Sequence, residues 1–302
     1  MLELGQQIAN GVFTGSAYAL VAVGFGLVFS AMRVINMAHP ELMMVGAYAS
    51  FVVLSMVGSI EASLPVLILL MLLVLVVAAA ASGIVGLVLE RTVIRPLRGR
   101  NIIVPFIATA GISIALQGAA QWIFGPEQLR IPRVLPTKSL DVFGIIITVP
   151  QLFTLALTIA ATLFIMWYMR LTKWGRATRA VAEIPDVASA SGVNVSRVYQ
   201  LSIGIASGMA GIAGVAIGVL YGSALPFMGL IFGLKSFVCM LVAGNRNLEG
   251  IVAVGLGLGL TEALVAGYVS SPFRDAIAFA VLLLILAVRP NGLFGSYGSL
   301  SR

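Results

Sequence analysis

Few residues able to do chemistry lie within or beside the apolar stretches: Asn36, His39, Glu41, Ser207, Lys235, Cys239 and Glu262. His39 is the only histidine and Cys239 the only cysteine, so an internal disulfide and a multi-cysteine metal site are excluded. No G-x-x-x-x-G-K-[ST] pattern occurs, and none of Lys138, Lys173 and Lys235 follows a glycine, so the chain has no nucleotide phosphate loop of its own. Ionisable groups in hydrocarbon are costly and usually face a partner or a water-filled cavity. Asn36, His39 and Glu41 sit at a helix start, with Pro40 between the last two. Proline in a first turn and a carboxylate near a helix N-terminus are both favourable, which suffices to explain them. The functional alternative is a broken, partly re-entrant segment whose polar groups border a pathway. Lys235 and Glu262 fall on neighbouring predicted helices, where a pair would satisfy both charges. The alternative is that one of them meets the charged end of a zwitterionic solute. Ser207, with His39 as its base, would make a membrane hydrolase only if distant helices met. Helix packing is the simpler role for a serine among small residues.

The elements that must position these residues are apolar helices. Of 302 residues, 60% are apolar and 10% charged, and the mean hydropathy is +1.08. A soluble domain carries about a quarter charged residues, so this composition describes a polytopic membrane protein. The net charge of +7 is spread in short basic clusters between apolar runs, which excludes a nucleic-acid surface and fits membrane loops. The start, Met1-Leu2-Glu3-Leu4, lacks a positive leader region and reads as a retained first helix.

A spanning helix needs roughly 20 mostly apolar residues. Charge-free runs of that length cover Leu4–Met32, Ala62–Leu89, Asn101–Pro126, Val142–Met169 and Val198–Leu234; Leu42–Ile60 is slightly shorter. The fifth run is broken at Tyr221–Pro226, and further helices are predicted near 229–244, 250–269 and 273–288. The fold class is therefore all-α, a transmembrane bundle of about nine spans, with eight to ten allowed. Arg91, Arg95, Arg98 and Arg100 crowd one loop, and Arg170, Lys173, Arg176 and Arg179 another. The positive-inside rule makes both cytoplasmic. Alternation then puts the N-terminus and the loop 125–144 outside, against the pull of Arg130, Arg133 and Lys138. The whole chain, 1–302, reads as one transmembrane domain.

Gly11/Gly15, Gly204/Gly208, Gly214/Gly218 and Gly255/Gly259 recur at four-residue spacing, the pattern that lets helices approach closely in lipid. A faint likeness between Gly11–Leu27 and Gly204–Leu220 falls short of a repeat. The stretch 171–196 is too polar to span. Arg176, Arg179, Ala180 and Glu183 share a helical face, Pro185-Asp186 can start a second short helix, and Gly192 sits where that helix would end. Such a loop is either a docking surface for another protein or an interfacial helix held by lipid headgroups.

This loop resembles the ATPase-contacting loop of ABC importer permeases, specifically the branched-chain amino acid permease family. Ala17–Gly24 running into Met32-Arg33-Val34-Ile35-Asn36-Met37-Ala38-His39-Pro40-Glu41 is similar to that family's N-terminal signature. Gly233-Leu234-Lys235-Ser236-Phe237 is similar to its late-helix motif, and Arg289-Pro290-Asn291-Gly292-Leu293-Phe294-Gly295 to its C-terminal end. One departure is Ala243-Gly244-Asn245-Arg246-Asn247-Leu248-Glu249-Gly250, where the family carries a glycine-rich turn.

The resemblance implies a non-enzymatic permease subunit of a cell inner (plasma) membrane importer, the shorter of two permeases. Its implied partners are a second permease subunit in a heterodimer, cytoplasmic ATP-binding subunits, an extracytoplasmic solute-binding protein, the solute and membrane lipid. ATP would be bound by the partner, with no cofactor on this chain. Residues Arg176, Arg179, Ala180, Glu183, Asp186, Ala188 and Gly192 would form the coupling surface. Branched-chain amino acids are the implied cargo, with urea, short amides or aromatic acids as alternatives. An ion-coupled carrier would want several buried carboxylates, and only Glu262 lies well inside a predicted span.

Overall fold

A computed structural model describes residues 2–58, 63–101, 103–136, 139–244 and 247–294. Met1, Ile60, Ala62, Lys138, Asn245, Arg246 and Gly295, named above, lie outside the described residues. The chain is a helical bundle of eleven α-helices among those residues. The long ones are α1 (Leu2–Met32), α2 (His39–Val57), α3 (Leu64–Leu89), α4 (Ile103–Phe124), α5 (Val149–Leu171), α8 (Val195–Tyr221), α9 (Met228–Ala243), α10 (Leu248–Tyr268) and α11 (Arg274–Val288). Two short helices, α6 (Lys173–Glu183) and α7 (Pro185–Ala190), fill the polar stretch between α5 and α8. Among the described residues seven helices are long and apolar enough to cross a membrane, and α9 is a shorter apolar helix of 16 residues. Among the described residues a helix stands at each of the nine expected segments, but α9 and the 15-residue α11 are shorter than a full span. The protein is a multi-pass membrane protein.

One difference from a purely helical expectation is a set of short strands at the end opposite the arginine-rich loops. Strands β2 (Ser139–Val142) and β3 (Ile145–Thr148) form a hairpin; β1 (Leu129–Arg130) pairs antiparallel with β4 (Ser223–Ala224). Gln6 fastens the hairpin to α1 by bonding both the carbonyl and the amide of Ile146, at 3.0 and 2.8 Å. Backbone groups between spans cannot be left unpaired near an apolar phase, and strands satisfy them.

Helix starts follow local chemistry. Asn194 and Asn247 accept from the backbone of Arg197 and Gly250, capping α8 and α10. Thr148 and Gln151 form a capping box at α5, with Pro150 in the first turn.

Two helices sit at the centre. α1 packs along α10 and α9, while α8 packs along α3 and α2. Not all the expected small residues are needed for this: a β-carbon on Gly259 of α10 would enter the backbone of Gly11 and Gly15 of α1, whereas one on Gly204 or Gly208 would make only ordinary contact. Such contact replaces the hydrophobic force that lipid cannot supply.

The same succession occurs twice and in opposite directions. α1 runs from the hairpin end to the arginine-rich end, the backbone breaks at 33–38, and α2 then starts beside Gly24 rather than at the end of α1. α8 runs the other way, breaks at 222–227, and α9 starts beside Glu41, again inside the bundle. The faintly similar stretches Gly11–Leu27 and Gly204–Leu220 are the two central helices that lead into these breaks. Inverted repeats with broken helices meeting inside the bundle are a recurrent transporter architecture.

Candidate functional site

The starts of α2 and α9 meet in the interior. Asn36 precedes α2 and its side chain accepts from the Ala38 amide at 3.0 Å, holding the turn. Pro40 lies against Gly233 of α9, and the Glu41 carboxylate lies against Gly229 in the first turn of α9. Glu41 is 1% exposed. Its Oε1 accepts from Ser113 Oγ at 2.8 Å and Gln117 Nε2 at 2.7 Å, both on α4. One turn earlier, Thr109 Oγ1 accepts from the Met37 amide at 3.0 Å. Thr109, Ser113 and Gln117 were not foreseen as site residues. Their spacing of four on an otherwise apolar helix is the signal that could have found them.

His39 is fully buried and its ring lies 4.6 Å from that of Phe25. Neither of its ring nitrogens has a hydrogen-bond partner, nor does the Ser207 hydroxyl. Ser207 fills the space above Gly86 of α3. A hydrolase needs its nucleophile bonded to its base, so the pairing of Ser207 with His39 is corrected to two separate packing residues. Cys239 is buried too, on α9.

Lys235 and Glu262 do meet. Lys235 Nζ lies 2.7 Å from Glu262 Oε1 and 3.0 Å from Asp275 Oδ1, and Tyr18 donates to Glu262 Oε2 at 2.8 Å. Arg274 approaches Glu262 at 3.8 Å and Asp275 at 3.2 Å. Two cations and two anions thus join α1, α9, α10 and α11, which fits the structural pairing. This cluster is a separate group from the Asn36–His39–Glu41 junction.

At the arginine-rich end, α6 and α7 form the two short helices expected of the polar loop. Thr172 caps α6 by accepting from the Gly175 amide at 2.9 Å, and Pro185 opens α7 with Asp186 in its first turn. Gly192 has φ +84° immediately beyond α7, the left-handed conformation expected at a helix end. Arg176, Arg179, Ala180, Glu183 and Asp186 are exposed on the outer side of the loop. Ala188 instead packs inward, forming a small core with Val181 and Val198. That core ties the loop rigidly to the start of α8.

Arg98 adds a second tie. It pairs with the buried Glu90, lies over the Tyr199 ring at 4.6 Å and reaches the Ser196 hydroxyl at 3.5 Å. Sequence reading gave Arg98 only a share in loop charge; its bracing of α3 against α8 depends on tertiary proximity. In the departure turn, Asn247 caps α10 and Glu249 pairs with Arg170 of α5, both side chains being over half exposed.

Comparison with known proteins gives this geometry a context. The sequence model of the family described as the branched-chain amino acid transport system permease component matches residues 7–286. The high-affinity branched-chain amino acid transport system permease protein LivH of Salmonella typhimurium is 34% identical over 296 residues, covering 96% of this chain and 95% of that protein. The corresponding permease BraD of Pseudomonas aeruginosa is 31% identical over 295 residues, with the same coverage. A probable branched-chain amino acid transport permease protein LivH of Methanocaldococcus jannaschii is 26% identical over 314 residues. No solved structure matches the chain.

Proposed function

The chain belongs to the branched-chain amino acid transport permease family, and from that premise we propose that it carries branched-chain amino acids inward as one permease subunit of an ABC importer in the inner (plasma) membrane. Residues 1–302 act as one transmembrane domain that alternates between outward-open and inward-open cavities. A second permease subunit completes the channel, a solute-binding protein delivers cargo outside, and cytoplasmic ATP-binding subunits bind and hydrolyse ATP. This chain itself uses no cofactor.

The observation that carries the reading is the loop of α6 and α7, an exposed polar ledge rigidly joined to α8. An ATPase seated against Arg176, Arg179, Ala180, Glu183, Asp186 and the Gly192 turn, with Ala188 holding the ledge in shape, would move α8 and everything packed along it. The Asn36–His39–Glu41 junction borders the pathway, and the Lys235–Glu262 pair braces its outer half.

The test is uptake by vesicles containing this chain co-purified with its ATPase and second permease. Radiolabelled leucine should accumulate only with ATP inside the ATPase compartment and the binding protein outside. Accumulation of urea, short amides or aromatic acids without leucine would overturn the assigned cargo. Uptake without any ATPase would overturn the mechanism.

A further inference from the structure

We propose that Glu41 is a positioning residue of the transport cycle: its carboxylate bridges α4 to the first turn of α9, and the bundle changes state by breaking that bridge. The proposal rests on the reading of the chain as an alternating-access permease and adds to it a named point of release.

Three observations carry it. First, Glu41 lies at the convergence of two broken helices, in the first turn of α2 and against the first turn of α9. A β-carbon at Gly229 would stand 2.6 Å from Glu41 Oε2, so glycine is what lets the carboxylate reach the positive end of α9. Second, the two oxygens are used unequally. Oε1 takes two side-chain donors from α4, whereas Oε2 is buried and has no hydrogen-bond partner. A residue serving only as glue would be expected to have both oxygens satisfied, and a buried carboxylate oxygen without a donor calls for an explanation. A second state in which Oε2 gains a donor supplies one.

Third, α4 is attached lightly. Its inward face carries the polar stripe Thr109, Ser113 and Gln117, with Ala120 and the Phe124 ring, stacked on Tyr48 at 4.3 Å, beyond it, while Ile107, Ile114 and Trp122 are exposed. Hydrogen bonds between helices in lipid contribute modestly, because the separated helices find other partners. The first half of α4, held mainly by such bonds, can swing away while the Phe124–Tyr48 stack keeps its far end seated. Sliding of α9 along Pro40 would bring a larger residue of α9 against the carboxylate, push it from its site and release α4 in the same motion.

The test uses the assembled complex in vesicles, in a Cys239→Ala background with a reporter cysteine at Ala120, a buried position of α4. Labelling of that cysteine by a maleimide is timed without nucleotide, beside ATP hydrolysis with and without solute-loaded binding protein. Glu41→Ala and Gln117→Ala should each raise labelling about tenfold, the population shift expected from losing a hydrogen bond to a charged group. Both should also raise basal hydrolysis and abolish its stimulation. Should Glu41→Ala fail to assemble, Gly229→Ala takes its place with the same expected rise, because its β-carbon pushes the carboxylate off α9. Unchanged labelling and unchanged stimulation in the assembled variants would overturn the bridge. A wild-type complex without stimulated hydrolysis would instead overturn the transport reading, and labelling would still report on Glu41.

Discussion

Lys235 of α9 and Glu262 of α10 form an ion pair 2.7 Å long, with both side chains almost fully buried. Neither charge could stay in such a place alone. The pair is completed from outside by Tyr18, Asp275 and Arg274, so that four helices share one charge-neutral cluster. Its neutrality matters more than any single bond, because desolvation of the ions offsets most of their attraction.

Removing one partner should therefore be worse than removing both charges. Lys235→Met leaves the buried Glu262 with Arg274, 3.8 Å away, as its nearest cation and should destabilise the protein by about 3–5 kcal/mol. Lys235→Met combined with Glu262→Gln restores neutrality and keeps an acceptor for Tyr18, so it should recover most of the loss. Thermal unfolding of detergent-solubilised protein measures both. A double variant less stable than the single would show that the charges contribute more than mutual compensation.

The crossing of α1 and α10 offers a contrast within one helix. A side chain on Gly259 would enter the α1 backbone, whereas one on Gly257 meets nothing within 4 Å. Gly259→Leu should abolish membrane accumulation by driving the central helices apart. Gly257→Ala should leave it intact and add up to about 1 kcal/mol from helix propensity. Immunoblots of membrane fractions and limited proteolysis separate the outcomes, and tolerance of Gly259→Leu would mean that this contact does not hold the bundle.

Much of this bundle was legible because lipid imposes its requirement residue by residue. The runs Leu4–Met32 and Val198–Leu234 had to be apolar, and the break at Tyr221–Pro226 had to interrupt the second. The ledge was legible too, since Pro185 and Gly192 punctuate it. Partnership across the bundle was less so. Lys235 and Glu262 could be matched because each is a charge needing an opposite. Ser113 and Gln117 carry no such demand, and only the fold shows that both point at Glu41. Depth was equally hidden, because nothing local in the sequence distinguishes a helix that starts at the surface from one that starts beside Gly24.

Orientation can be read by labelling. Thr178 is fully buried and would be a silent position, so the reporters belong at exposed sites. A cysteine replacing Arg176 should react only from the cytoplasm. One replacing Phe143, 94% exposed at the tip of the hairpin, should react only from outside. Reaction of both from the same side would overturn the placement drawn from the arginine clusters.

The coupling role proposed for the α6–α7 ledge is most directly tested at Gly192. Its φ of +84° is accessible to glycine and strained for a β-branched residue, while no neighbouring atom would obstruct an added side chain. Gly192→Val should therefore act through backbone conformation alone, tilting the end of α7 without touching the junction at Glu41. Membrane levels should be normal, and solute-stimulated ATP hydrolysis in the reconstituted complex should be lost. Arg176→Ala, which removes one exposed charge and leaves the ledge's shape unchanged, should mainly slow assembly with the ATPase. Gly192→Ala should fall between the two, because alanine lacks the β-branch but still resists a positive φ. The comparison is made at equal subunit stoichiometry. If Gly192→Val hydrolyses ATP with undiminished stimulation, the shape of this ledge does not carry the coupling, and the contact with the ATPase lies elsewhere on the arginine-rich end.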